Sequence, residues 1–266
     1  MGSSLLGLEG KRIMVLGGGF GMGESTVQML AGQGAHVAVV DLLSERAEKV
    51  ASEVARDHGV TTAAFSTDVT DDEAVLATIA RVEEEFGPLD GMATVIGMAK
   101  WGSLMEISAE DWDIDHRRNL RYFFITARDV ARRIIARGAQ GSIVCVASVD
   151  GLTSSANHAS YGAAKAGLVN LVRSMAAEWS HQGVRVNCVA PGGIATPRFP
   201  VTDPEFEAKR MAGLPMRRRG VTDDIAKGIT FFLSDMANYV TGQTLAVDGG
   251  YTAVGMFDYA GRPTPK

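Results

Sequence analysis

Residues 12–23 constrain the chain more than any other stretch. Arg12-Ile13-Met14-Val15-Leu16 reads as a short apolar strand, and Gly17-Gly18-Gly19-Phe20-Gly21-Met22-Gly23 follows at once, with a helix predicted from 22 to about 33. A strand that feeds a helix through a glycine-rich turn builds an anion site. The turn lets backbone amides approach a pyrophosphate, and the helix N-terminus adds partial positive charge. Gly17, Gly19, Phe20, Gly21 and Met22 are the candidates for that contact. A glycine cluster alone can be a mere tight turn, so the next segment matters. His36-Val37-Ala38-Val39-Val40 forms a second predicted strand that ends in Asp41, where a dinucleotide fold sets a carboxylate on the adenosine ribose. A carboxylate accepts from both ribose hydroxyls of NAD and repels the 2′-phosphate of NADP. The turn holds no lysine or arginine, and Arg46, a turn into the next helix, reads as a solvated charge. The expected cofactor is NAD, with NADP disfavoured.

The alternation continues: helix 44–58, strand 61–66, helix 71–86, strand 90–95, a long helix 109–136, strand 141–148, helix 158–181, strand 184–190, helix 222–233 and a last strand 245–247. Apolar strands alternating with helices predict an α/β fold. The sheet is doubly wound and parallel, of about seven strands, with helices on both faces. No repeat or low-complexity linker divides it, so residues 1–266 are expected to form a single domain. Asp68 and Val69 fall at a strand end on the cofactor side. An Asp68 oxygen meets the adenine amine there, or else Asp68 or Thr70 caps the next helix. Glu83-Glu84-Glu85 reads as a solvated helix face. So do Arg117, Arg118, Arg121, Arg128, Arg132, Arg133 and Arg137, unless they meet a second subunit. Residues 198–220 hold three prolines and several large apolar side chains without sustained periodicity, the pattern of a substrate lid.

The chemistry centres on Ser160-Tyr161-Gly162-Ala163-Ala164-Lys165. A four-residue step sets Tyr161 and Lys165 on one helix face. An ammonium beside a phenol favours the phenolate, which a tyrosine needs to exchange protons near neutrality. Ser148 ends the preceding strand, where an open parallel sheet collects its chemistry. Tyr-x-x-x-Lys occurs by chance on many helices; its weight here comes from the rest of the chain. Asn119, among Leu120, Tyr122, Phe123 and Phe124, reads as an inward amide, and Pro191-Gly192-Gly193 shapes a cofactor-side turn.

A net charge of -5 and a pI near 5.6 argue against a nucleic-acid partner. No apolar run approaches the ~20 residues of a membrane span, and the start lacks the order of a signal peptide. Met1-Gly2-Ser3-Ser4 resembles a myristoylation start but has Leu6 where a hydroxyl is required. Cys145 and Cys188 fall in predicted buried strands and read as free thiols in a reducing compartment, so the expected location is the cytoplasm.

Together these residues resemble the short-chain dehydrogenase/reductase family, over roughly residues 8–252. Gly17, Gly21 and Gly23 match its T-G-x-x-x-G-x-G turn, and Asn119, Ser148, Tyr161 and Lys165 fall on its four catalytic positions. Pro191, Gly192, Ile194 and Thr196 lie in the segment that contacts the nicotinamide end in that family, and Tyr239 to Gly250 is similar to its terminal signature. The resemblance implies reversible oxidation of a secondary alcohol. Tyr161 acts as general acid/base, Lys165 on the nicotinamide ribose, Ser148 on the substrate oxygen, and Asn119 on a water that relays protons. No metal is expected, and the partners are a small-molecule substrate and further copies of the chain in a homotetramer. Two positions depart from the pattern: Leu16 replaces the opening threonine, and Thr94-Val95-Ile96-Gly97 replaces N-N-A-G. Both replacements are read as a polar pair exchanged for apolar packing. Met, Phe and Trp side chains at 98–102 and 199–216 point to a bulky apolar or cyclic substrate, an alcohol, terpenoid or steroid. A β-ketoacyl thioester reductase is the alternative enzyme, though Asp41 disfavours its usual NADPH. An enoyl reductase spaces its tyrosine and lysine more widely. A non-catalytic cofactor sensor would usually lack one of the two.

Overall fold

The computed structural model describes residues 5–254, so the myristoylation-like start lies outside the described residues. Seven strands form one parallel sheet in the order β3-β2-β1-β4-β5-β6-β9. They are β1 (Arg12–Leu16), β2 (His36–Asp41), β3 (Thr62–Ser66), β4 (Gly91–Thr94), β5 (Gly141–Val146), β6 (Val184–Pro191) and β9 (Thr244–Val247). The order reverses between β1 and β4, which pair from Ile13↔Gly91 to Leu16↔Thr94. Such a reversal opens a crevice at the carboxyl ends of the strands. The expected α/β sheet of about seven strands, with helices on both faces, is the observed one.

Strand alternation sorts the core into two layers. Met14, Leu16, Val40, Ile143 and Cys145 face α3 (Asp72–Glu85), α5 (Tyr122–Ala136) and α6 (Ala159–Trp179). Val15, Val37, Val39 and Val144 face α1 (Met22–Ala31), α2 (Ser44–His58) and α8 (Thr222–Leu233). Strands buried on both sides favour apolar residues at successive positions, as in Ile13-Met14-Val15-Leu16 and Val37-Ala38-Val39-Val40. Each such buried side chain stabilises the fold by roughly 1.5–3 kcal/mol before entropy is charged against it.

The predicted helix 109–136 is not continuous. It is α4 (Ala109–His116), a π-helical turn over Arg117–Arg121, and α5. The wide turn accommodates one extra residue, and Asn119 at its centre is buried. Helical periodicity does not register such an insertion, because the flanking turns keep their apolar face.

The charged faces differ from expectation only in part: Arg117, Arg118, Arg132, Glu84 and Glu85 are exposed as expected, but others are engaged within the chain. Glu83 is largely covered, and it accepts from Arg133, Arg137 and the Leu89 amide. Arg121 pairs with Asp72. These arginines tie α5 to α3 within the chain and are not surplus charge awaiting a partner. Segment 198–220 contains a short helix, α7 (Pro204–Arg210), capped by Asp203, and its ends are joined by pairing of β7 (Ile194–Ala195) with β8 (Gly220–Val221). Arg219 braces the segment through Glu207 at 2.5 Å and the Phe199 carbonyl at 3.0 Å. Seven residues with a proline at the first turn are too few to show a period in sequence.

Thr94 is not part of an apolar exchange. It is fully buried, and its hydroxyl accepts from Tyr122 Oη at 3.1 Å, while Leu16 packs in the core as expected. Tyr122→Phe should therefore leave Thr94 without its donor and cost about 1 kcal/mol. In a chain of this size that lowers the melting temperature by about 2–4 °C in calorimetry; no shift would mean the pair contributes nothing.

Candidate active site

A cleft of about 520 Å³ runs along the carboxyl ends of the strands. One end holds Asp41, Asp68, Val69 and the turn residues Gly17, Phe20, Gly21 and Met22. The other holds Ser148, Tyr161, Lys165, Pro191, Gly192, Ile194 and Thr196. Two predicted residues stand behind the lining. Gly19 donates its amide to Asp41 Oδ2 at 3.0 Å, so it shapes the carboxylate. Asn119 lies beneath Lys165.

The turn is built for close approach. Gly17 has φ +78°, and a Cβ there would meet the Val95 carbonyl at 2.6 Å. A Cβ on Gly23 would meet the Gly17 carbonyl at 1.8 Å. Only glycine lets strand, turn and helix converge this tightly, which brings the backbone of Gly17 and of residues 20–22 to the cleft wall at the start of α1. The site therefore fits a dinucleotide on its own geometry.

At the adenosine end, Asp41 Oδ1 also accepts from the Leu43 amide at 3.2 Å. Arg46 is not a free surface charge: its guanidinium lies 4.8 Å from the centroid of the Phe20 ring. Asp68 caps nothing. Its Oδ1 accepts from the Thr70 amide (2.8 Å) and hydroxyl (2.7 Å), which hold its pKa below the usual carboxylate value, while Asp71 caps α3.

At the end of the cleft that holds Ser148 and Tyr161, Lys165 is 1% exposed. Its Nζ donates to the Ile96 carbonyl at 3.1 Å and the Val146 carbonyl at 2.8 Å, just beyond β4 and at the end of β5. An ammonium has three donors, so one remains. Burial pushes Lys165 down to about 8, against the pull of Cys145 and Cys188. Both cysteines are buried and unbridged. Asn119 Nδ2 donates to the Met98 carbonyl (2.8 Å) and the Asp115 carbonyl (2.9 Å). Its Oδ1 is buried without a partner among the described residues. A Cβ on Gly97 would sit 3.3 Å from Lys165 Nζ and 3.4 Å from that oxygen, so Gly97 keeps the space between them open.

Tyr161 departs from the expectation of a depressed pKa. Burial pushes it up to about 12; a hydrogen bond from Ser148 lowers it, and the charges of Asp150 and Asp115 raise it further. Lys165, with Nζ 5.5 Å from the Tyr161 ring centroid, does not offset this. Helical spacing placed the two side chains together correctly, but burial decides the sign. Ser148 lies beyond the end of β5 in extended conformation, and its Oγ accepts from the Asp150 amide at 3.1 Å, which leaves its own proton to donate.

Cleft residues the sequence did not single out as contacts include Thr67, Ile96, Gly97, Arg118 and Arg198. Their place follows from strand ends and the π-helical turn, which no local pattern marks. Of the expected substrate-side segments, Met98 and Phe199 line the cleft, whereas Trp101 stacks on His158.

An open parallel sheet, a glycine-cradled crevice and a Ser–Tyr–Lys cluster at its far end define a dinucleotide-dependent oxidoreductase. The chain belongs to the short-chain dehydrogenase/reductase family. Residues 18–252 match a family model described as enoyl-(acyl carrier protein) reductase. The chain is 36% identical over 253 residues to 2-(S)-hydroxypropyl-CoM dehydrogenase 3 of Xanthobacter autotrophicus, covering 93% of this chain and 98% of that one. It is 38% identical over 242 residues to cis-4-hydroxycyclohexanecarboxylate dehydrogenase of Sinomonas cyclohexanicum, covering 91% and 96%. A crystal structure provisionally assigned as a gluconate dehydrogenase of Agrobacterium tumefaciens superposes with a TM-score of 0.87 at 30% identity, covering 93% and 98%. The protein is thus an oxidoreductase acting on CH–OH groups.

The buried ammonium has a consequence for stability. With a folded-state pKa near 8 against an ordinary 10.5, the unfolded chain binds more protons between those values. Stability contributed through Lys165 therefore rises with pH across that window. Urea titrations of the protein without added cofactor should show this rise in the wild type and its loss in Lys165→Met.

Proposed function

We propose that the chain is a single-domain NAD(H)-dependent dehydrogenase that interconverts a secondary alcohol and a ketone on a bulky apolar or cyclic substrate. The observation that carries this reading is one cleft with Asp41 at one end and Ser148, Tyr161 and Lys165 at the other. Met98 and Phe199 on the substrate side, and a relative named for a hydroxylated cyclohexane acid, support the substrate class.

When bound, the nicotinamide accepts or returns the hydride. Asp41 and the turn hold the adenosine and pyrophosphate, with Asp68 and Val69 beside the adenine. The carboxylate accepts from the ribose hydroxyls and repels a 2′-phosphate. Pro191, Gly192, Ile194 and Thr196 flank the nicotinamide end. The third donor of Lys165 takes a nicotinamide-ribose hydroxyl. Ser148 donates to the substrate oxygen, a bond that strengthens as charge develops there. In oxidation the Tyr161 phenolate takes the hydroxyl proton while the carbon–hydrogen pair leaves as hydride; in reduction the phenol returns the proton to the ketone oxygen. Asn119 Oδ1, buried and unpaired, holds the water through which Lys165 passes protons to solvent. Residues 198–220 act as the lid, since Phe199, Phe206 and Met216 remain exposed on a segment braced at its base by Arg219. A cytoplasmic homotetramer completes the reading, with exposed Ile114 and Phe124 giving α4 and α5 apolar contact surface.

The raised phenol sets the pH dependence. A Tyr161 pushed up to about 12 is protonated at neutrality, so it is ready to donate in ketone reduction. Alcohol oxidation needs the phenolate and should climb steadily with pH into the alkaline range. Tyr161→Phe should lower turnover at least ~10²-fold in both directions with NAD affinity nearly unchanged; near-full turnover would remove Tyr161 from the mechanism. Asp41→Ala should weaken NAD and narrow the preference over NADP, read from the two KM values. A wild type that already prefers NADPH would overturn the cofactor assignment.

A further inference from the structure

His158 lies three residues before Tyr161 and has no part in the chemistry above. It is 8% exposed and held on three sides. Its Nδ1 donates to Asp150 Oδ2 at 2.5 Å. Its ring is sandwiched between Tyr161, with centroids 4.5 Å apart and planes 20° from parallel, and Trp101, at 3.8 Å and 9°. Nε2 is buried without a partner among the described residues, so stacking and the Asp150 bond together orient the ring.

The backbone around the ring is fixed as well. Asn157 adopts φ +61°, a left-handed conformation that asparagine tolerates better than most residues, and its carbonyl accepts the Gly102 amide at 2.9 Å. The loop that carries Trp101 is thus pinned to the start of α6. Asp115 adds a second tie, accepting from Ser160 Oγ at 2.5 Å and the Lys100 amide at 3.3 Å.

Two carboxylates, Asp150, bonded to His158, and Asp115, bonded to Ser160, lie close enough to Tyr161 for their charges to oppose its ionisation. Lys165 is occupied by two carbonyls, and the Lys100 ammonium is turned to Asp111 at 3.0 Å. Asp115 is held only by neutral donors. Asp150 accepts from Ser155 Oγ at 2.6 Å and from His158, so of the two it alone is bonded to an imidazole. A carboxylate whose charge is shared with an imidazole acts on its surroundings as a weaker anion.

We propose that His158 is a positioning residue for Tyr161: pinned by Asp150 and covered by Trp101, its imidazole fixes the plane of the phenol ring and masks the Asp150 carboxylate from the phenol oxygen. This rests on the acid–base role proposed for Tyr161.

The test is the pH profile of kcat/KM for alcohol oxidation, with NAD affinity measured alongside by fluorescence titration. His158→Phe keeps a stacked ring but removes the mask. It should raise the midpoint of the profile by about one pH unit and leave NAD affinity unchanged. Adding Asp150→Asn to His158→Phe removes the unmasked charge and should return the midpoint towards the wild type. Should the Phe variant fail to fold by circular dichroism, His158→Gln carries the same expectation, alone and with Asp150→Asn. An unchanged midpoint in the single variant, or no return in the double, overturns the proposal. Tyr161→Phe run in parallel separates the two readings, because retained turnover there defeats the acid–base assignment whatever the His158 variants do.

Discussion

The structure depends on a buried ammonium. Lys165 places a nearly fully buried cation at the inner wall of the cleft, and the carbonyls of Ile96 and Val146 make that tolerable. Those carbonyls belong to the ends of adjacent strands, so the same two bonds that stabilise the charge hold the sheet's edge to α6. Burying a charge without such partners would cost several kcal/mol or simply discharge the group. Burial still pushes Lys165 down to about 8, against the pull of Cys145 and Cys188.

The polar groups at this end of the cleft are arranged around this fixed point. Tyr161 stands one helical turn before it, Ser148 follows the strand that supplies one carbonyl, and Gly97 follows the residue that supplies the other. The π-helical turn brings Asn119 to the same place from a third direction. An ordinary α-helix through Arg117–Arg121 would rotate the amide around the helix axis, away from Lys165. The irregularity is therefore what gives the site its fourth polar group.

Electrostatics around Tyr161 run against a simple reading of Tyr-x-x-x-Lys. The phenol is half-buried, feels the charges of two carboxylates, and receives help from a single neutral donor, Ser148. The phenol thereby keeps its proton at neutrality, and its ionisation depends on the charges nearby being balanced. That gives weight to how Asp150 is partnered.

The features legible in sequence are those set by short-range geometry. Apolar runs separated by helical periods specify a parallel sheet. Glycines at 17 and 23 mark a turn that no larger residue can make, and the interval from Tyr161 to Lys165 fixes a shared helix face. Asp41 is readable because it directly ends a strand. What only the tertiary structure decided depends on groups brought together from distant parts of the chain. The Thr94–Tyr122 bond spans 28 residues, the Glu83–Arg137 pair 54, and the burial of Tyr161 is made by loops and strands remote from its helix. A pKa follows from the solvent and charges around a group, and a helix insertion from the packing of its neighbours. Neither quantity exists until the chain has folded, so the order of the elements and an inward Asn119 were open to reading, while the sign of the tyrosine's shift, the π-helical turn that carries Asn119 and the stacking of His158 were not.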